Sequence, residues 1–315
     1  MRPFRFGLVV EQFTSPGQVL ETARRAEADG FSTFLIRDHL IDHPFPPQYA
    51  PWTTLAAVSQ VTTTLRLGNL VIANDFRHPS QLAKEVTTLD QLSSGRAELG
   101  IGAGFLREEF ERTGQTFHPT KVRVDRLSES LAVLDALLAG KPLSYNGEHY
   151  AFDEFVNFPM PVQQPRPPIL VAGAGRRVLS LAGGYGDIAA LLSAPLSGGV
   201  LVDSVAARSA ENVTQQVAIV RNAAGERFAD LELSIFATFI GASDRRAAAE
   251  KLAGQRGWKA SPQEVLRMPT VLIGTAEELA EDHHRRRDQF GISYIVLRDS
   301  QLADAAPLVR RLATN

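Results

Sequence analysis

Short apolar runs alternate with amphipathic helical stretches along this chain, at a repeat of about thirty residues, which predicts parallel strands joined by crossover helices. Eight such units fit within the 315 residues, and the positions just past the strands are rich in glycine and polar groups. Together these observations predict an α/β protein of the TIM (β/α)8 barrel class, with its chemistry at the carboxyl ends of the strands. An open doubly wound sheet is the alternative that periodicity alone leaves standing.

The elements follow in order. Phe6–Val10 reads as the first strand. Ser15-Pro16-Gly17-Gln18 then supplies an N-cap, a proline at the first helical position and a glutamine at the third. Val19, Ala23 and Ala26 recur at helical spacing, and Gly30 marks the stop. Thr33–Ile36 is the second strand, Trp52–Thr62 is helical, and Leu67–Ile72 is the third strand. The helix Pro79–Leu92, the fourth strand Ala97–Ile101 and the long helix Val122–Leu138 continue the rhythm. Ile169–Ala172, Asp187–Leu191, Leu231–Ile240 and Ser293–Leu297 make eight strands. Thr275-Ala-Glu-Glu278 is a capping box that opens a helix running to Gly291.

Two stretches interrupt the repeat, at about 141–168 and 241–269. The first carries the hairpin signal Tyr145-Asn-Gly-Glu148 followed by a cluster of prolines. The second has helical pieces of its own. Neither has linker composition, so both read as insertions within a single domain spanning 1–315, able to act as lids or as surface decoration.

Lys and Arg number 33 against 35 Asp and Glu, so no excess of positive charge points to nucleic acid or to an anionic membrane. Cysteine is absent, which removes disulfides, thiolate metal ligands and cysteine nucleophiles together. The chain enters a strand almost at once, without a signal-type apolar run, and no stretch reaches the ~18 apolar residues of a membrane span. The expectation is a soluble, cytoplasmic protein.

Reading the strand ends in turn gives Glu11, then Asp38 and His39, then Asn74 and Asp75. Gly102-Ala103-Gly104 follows the fourth strand and Gly173-Ala174-Gly175 the fifth; Ser193 follows the sixth, and Arg298 and Asp299 the eighth. Paired glycines let backbone N–H groups approach an anion, and the second pair leads into a helix at Val178–Ala182 with Arg176 and Arg177 beside it. Tight turns are the alternative use of both glycine pairs. The stretch Leu35-Ile-Arg-Asp-His-Leu-Ile-Asp-His43 holds two Asp-His pairs. A metal site would want histidines at i and i+4 on a helix, and Pro44-Phe-Pro-Pro47 argues against one here. His39 suits proton transfer near neutral pH, while Asp42 and His43 read as solvated loop. Glu11 could serve as a second acid or base, or pair with a cation.

Arg37-Asp-His39, Phe76-Arg-His-Pro79, Leu89-Asp-Gln-Leu-Ser-Ser-Gly-Arg96, Glu98-Leu-Gly-Ile-Gly-Ala-Gly104 and Pro165-Arg-Pro-Pro-Ile-Leu-Val171 resemble, in order, motifs of the luciferase-like monooxygenase family. Asn146-Gly-Glu-His-Tyr150 and Leu272-Ile-Gly-Thr-Ala-Glu-Glu278 add to the match. The branch most similar uses the deazaflavin coenzyme F420. The resemblance implies a bulge with a non-prolyl cis peptide near Leu70-Val71 that supports the deazaflavin ring. It also implies Asp38 and His39 beside that ring with Asn74 close by, Gly102, Ala103 and Gly104 along the cleft, and Gly173, Ala174 and Gly175 at the phosphate, with Arg176 as a further candidate.

Glu11-Gln-Phe13 is similar to the F420-dependent glucose-6-phosphate dehydrogenases. Those enzymes, however, have a carboxylate where Phe105 stands and a tryptophan where His43 stands, which argues against a simple transfer of sugar-phosphate oxidation. The resemblance therefore implies an F420-dependent oxidoreductase, with hydride passing between C5 of the cofactor and an organic substrate, His39 and Glu11 as catalytic candidates, and a homodimer. An FMN-dependent monooxygenase on the same scaffold is the enzyme alternative, and a non-catalytic flavin- or deazaflavin-binding protein the alternative of another class.

Overall fold

The computed structural model describes residues 2–193, 196–197, 200–201 and 203–313. Arg5–Val10, Thr33–Ile36, Arg66–Asn69, Ala97–Gly102, Ile169–Gly173, Ile188–Leu191, Glu232–Phe236 and Ile292–Arg298 pair in parallel, each with its neighbour in the sequence of strands. The first strand pairs with the eighth and the third with the fourth, so the sheet closes into the expected eight-stranded barrel.

Strands buried on both faces need apolar side chains on both, which is why the sequence shows runs in place of alternation. Val9, Leu35, Leu70, Leu170, Ile188, Tyr294 and Val296 fill the barrel. Phe6, Leu8, Val10, Phe34, Ile36, Leu67, Leu99 and Ile101 belong to the larger core shared with the helices, among them Leu82, Val86, Leu131 and Leu134. Gly7 leaves room for the ring of Tyr294, whose hydroxyl lies 2.8 Å from where a Cβ would stand.

Helix ends follow the chemistry expected of them. Ser15 Oγ accepts from the N–H of Gln18 at 3.2 Å ahead of the helix Pro16–Ala28, whose buried face is Val19, Ala23 and Ala26. Thr275 and Glu278 form a reciprocal capping box before Ala276–Phe290, and Gly291 closes that helix in the left-handed conformation. The Asn-Gly signal is a hairpin, Leu143–Asn146 against Ala151–Phe155.

Several boundaries differ from the sequence expectation. The third strand is not continuous over Leu67–Ile72: the ladder stops at Asn69, passes a cis Leu70–Val71 peptide and resumes at Ile72–Ala73. Gly100 permits this, because a Cβ there would lie 1.8 Å from the carbonyl oxygen of Asn69. The seventh strand ends at Phe236; after Ala237 the chain leaves the barrel, and Thr238–Gly241 pairs with Val271–Gly274, a strand the sequence reading lacked. Apolar periodicity cannot register that change of sheet, because apolar residues continue on both sides of it, Ile235 and Phe236 before and Phe239 and Ile240 after.

The helix expected over Trp52–Thr62 runs Pro51–Ser59, and that over Val122–Leu138 starts at Thr120. The insertion at 241–269 carries the helices Arg245–Arg256 and Pro262–Arg267. A last helix, Leu302–Ala313, packs after the eighth strand. Among the described residues no helix is long and apolar enough to cross a membrane.

Candidate functional site at the carboxyl mouth of the barrel

Every strand delivers its last residue to one mouth, and the side chains there fall into three groups. The first is built on the second strand. Asp38 is buried and its two oxygens accept from the guanidinium of Arg77 at 2.6 and 3.0 Å. Oδ2 also accepts from the backbone N–H of Ala73 at 3.2 Å, just past the bulge. Asp38 thus fixes the course of the third strand. Burial would by itself push the Arg77 guanidinium down, yet the bonds and charges of Asp38 and Glu85 leave it raised.

His39 points the other way from the same turn. Its Nδ1 lies 3.1 and 3.2 Å from the two oxygens of Glu109, and its ring stacks on Phe45 at 4.3 Å with Phe105 edge-on at 6.0 Å. A carboxylate only accepts, so Nδ1 carries the proton and Nε2 is the atom available to a ligand. Glu109 is buried on the short helix Arg107–Arg112 and accepts also from the N–H of Leu40. Sequence reading missed Glu109; an acidic first turn straight after the strand-four glycines was the signal that could have found it.

Asp42 and His43 are exposed, as the solvated-loop reading has it, so burial separates the two Asp-His pairs of Leu35–His43. Among the described residues no three His, Cys, Asp or Glu side chains converge in the manner of metal ligands.

The second group surrounds the third-strand bulge. Asn74 is buried in the turn Asn74–Phe76, and its amide donates to Asp75 Oδ1 at 3.2 Å and to the Tyr150 hydroxyl at 3.3 Å. Its Oδ1 is buried and has no partner among the described residues. Burial pushes the Tyr150 phenol up, so it stays protonated. Gly102 faces Val71, whose Cγ2 lies 3.0 Å from a Cβ built there, and Ala103 and Gly104 continue the same wall, with Gly104 at φ +69°. Across the mouth, Gly173 lets Val178 pack 2.5 Å from where its Cβ would stand. The helix that follows runs Arg176–Tyr185, two residues earlier than expected, so Arg176 and Arg177 belong to its first turn.

Gly175, its cap, offers no side-chain acceptor, leaving first-turn N–H groups open beside Ala174 and the exposed Arg176. Arg177 pairs instead with Asp125. A cleft of about 550 Å³ lies alongside, between this helix and Thr120–Leu138, with Lys121, Glu129 and Arg176 on its walls.

The third group closes the ring between strands eight, one and two. Glu11 Oε1 accepts from Arg37 Nε at 2.9 Å, and Oε2 lies 3.3 Å from Arg298 Nε. Of the two readings of Glu11, this geometry is the ion pair. Asp299 accepts from the N–H groups of Glu11 and Gln12 at 3.1 and 2.9 Å, tying the exit of the first strand to that of the eighth, and burial pushes its carboxyl up.

Among the described residues, an uncapped glycine turn, a buried amide oxygen without a partner and a His with one free nitrogen lie at the carboxyl ends of the strands, and together they fit a large ligand carrying both an anionic group and a polar ring. Comparison with known proteins points the same way. The chain is 34% identical over 182 residues to the F420-dependent hydroxymycolic acid dehydrogenase of Mycobacterium tuberculosis, a stretch covering 56% of this chain and 49% of that one. It is 31% identical over 180 residues to the F420-dependent glucose-6-phosphate dehydrogenase of Amycolatopsis mediterranei, covering 56% and 53%. The chain thus spans about half the length of the curated relatives it matches.

Its fold is shared with the coenzyme F420 dependent tetrahydromethanopterin reductase of Methanopyrus kandleri, at a TM-score of 0.76 and 16% identity over 99% of this chain and 98% of that one. An F420-dependent secondary alcohol dehydrogenase superposes at 0.75 and 18% over the full length of both. The profile of the luciferase-like monooxygenases matches residues 3–309, nearly the whole barrel with its bulge, its glycine turns and its Asp-His pair, and the chain belongs to that family.

Proposed function

We propose that this protein is an F420-dependent oxidoreductase acting on a small organic molecule. The observation that carries the reading is the convergence of His39 and the uncapped Gly173–Arg176 turn on one barrel mouth. The F420-dependent relatives support it. Bound there, the cofactor supplies a carbon, C5, that gives or takes a hydride.

The chain does the rest. First-turn N–H groups and Arg176 hold the phosphate, while Leu70, Val71, Gly102, Ala103 and Gly104 shape the bed for the ring. Asn74, whose buried Oδ1 has no partner among the described residues, would help hold the ring by accepting a hydrogen bond from it. Asp38 anchors the bulge through Ala73 and Arg77. Glu109 keeps the proton of His39 on Nδ1, so Nε2 is presented to the reacting centre, where it accepts or, once protonated, returns the proton that accompanies the hydride. Phe45 stacks on that imidazole and Phe105 meets it edge-on, which holds the ring in place. Glu11 holds Arg37 and Arg298 in place.

Parallel fluorescence titrations of the purified chain with F420 and with FMN test the proposal. The expected outcome is saturable, micromolar or tighter binding of F420 with FMN much weaker, and loss of F420 affinity in Arg176→Gln of about tenfold. A preference for FMN, or binding of neither, would overturn it.

A further inference from the structure

The side of the mouth between strands eight, one and two lies across from the fifth-strand turn, because in a closed ring of eight the fifth strand stands opposite the first. That side is strongly charged. Arg37 and Arg298 stack their guanidinia on the same ring, Phe236, at 5.3 and 4.3 Å. Arg208 and Arg256 approach from the segment after the sixth strand and from the inserted helix Arg245–Arg256, and share Asp203. Four guanidinia therefore meet two carboxylates, Glu11 and Asp203. Burial lowers the pKa of Arg298; Arg37, Arg256 and Arg208 push it the same way, against Glu11.

Arg298 is the member poised for a ligand. Only its Nε is engaged, at 3.3 Å from Glu11, and its two terminal nitrogens have no hydrogen bond to any described residue, while its side chain is 27% exposed. A guanidinium with its terminal pair open, on an aromatic face and among like charges, is built to take a planar or tetrahedral oxyanion in two parallel bonds.

We infer that the substrate is an organic anion, a carboxylate or phosphate ester, whose charged group docks on the terminal nitrogens of Arg298 beside Arg37. This rests on the function proposed above and names the substrate class for it. Phe45 sets the scale: it stacks on His39 at 4.3 Å and lies 4.9 Å from the Arg37 guanidinium. One ring separates the proton-transfer group from the anion site, so the charged group stands a few bonds from the reacting carbon. The inserted helix takes part directly, because it brings Arg256 to the mouth.

Calorimetric titration of the full chain with inorganic phosphate, in low salt and both with and without saturating F420, tests this. Millimolar phosphate binding is expected to persist when F420 is bound. With F420 bound, it should weaken about tenfold in Arg298→Gln, about threefold in Arg298→Lys, and not at all in Arg176→Gln. The lysine variant keeps the charge and loses only the fork, so it decides the matter if the glutamine variant folds poorly.

Phosphate affinity equal in wild type and both Arg298 variants would overturn the inference. So would phosphate binding that F420 abolishes and Arg176→Gln removes, since the anion would then sit only at the cofactor turn. Failure to bind F420 would count against the cofactor reading alone, because the titration without cofactor still compares Arg298 with Arg176.

Discussion

At the scale of single residues, the site is organised by what each charged group is paired with. Asp38 and His39 are adjacent, yet one is locked to Arg77 and the bulge while the other keeps a ring nitrogen for chemistry. Glu109 makes that division possible, since without an acceptor at Nδ1 either nitrogen of His39 could carry the proton. Glu109→Leu, which removes the acceptor, is therefore expected to leave F420 affinity within about threefold and to lower turnover on a productive substrate by about 100-fold. Its specific sign is a mixture of His39 tautomers in ¹⁵N NMR where the wild type has Nδ1–H alone. A single Nδ1–H tautomer in the variant would mean that Glu109 merely packs the loop.

At the scale of elements, the helix Ala276–Phe290 shows how a position chosen for packing sets a pH limit. His283 lies on its buried face against Phe4 and Phe6, with Nδ1 donating to the carbonyl of Leu279 at 2.6 Å. Burial pushes its pKa down from 6.5 to about 4, so the folded chain holds it neutral where the unfolded chain would protonate it. Stability is thus fully present above pH 6.5 and is lost as pH falls toward about 4, by on the order of 3 kcal/mol from this group. His283→Leu should flatten that part of the acid limb in urea unfolding measured from pH 7 to pH 4. An unchanged slope would assign acid sensitivity to the carboxylates.

At the scale of the whole molecule, the two ends of the barrel divide the labour. The mouth gathers the functional groups; the base is closed by ion pairs that join strands far apart in sequence. Arg5 on the first strand donates to Glu98 on the fourth at 2.8 Å and to Glu232 on the seventh at 2.7 Å, with Arg66 on the third 3.3 Å from Glu98. Burial pushes the Glu232 carboxyl up, against the opposing pull of Arg5. Arg5→Met leaves the buried Glu232 without its ion pair and Glu98 with Arg66 alone, and is expected to cost about 3 kcal/mol in urea unfolding, with F420 affinity unchanged in the folded fraction. A loss under about 0.5 kcal/mol would show the base to be held by apolar packing alone.

Much of this was legible in the sequence because it is local. Strand and helix order, the caps at Ser15 and Thr275, the Asn-Gly hairpin and the glycine turns depend on backbone preferences and periodicity over a few residues, and the barrel followed from their repetition. Motif resemblance located the bulge at Leu70–Val71 and the Asp38–His39 pair. What tertiary structure alone decided is the partner of every charge at the mouth. Glu109 reaches His39 from 70 residues away, Arg298 meets Glu11 across nearly the whole chain, and the seventh strand leaves the barrel at Ala237 to pair with Val271–Gly274. Apolar patterning records only that a residue is buried. Which side chain neutralises which is fixed when closure of the sheet brings distant strand ends together, and at this mouth that closure sets Glu11 between Arg37 and Arg298.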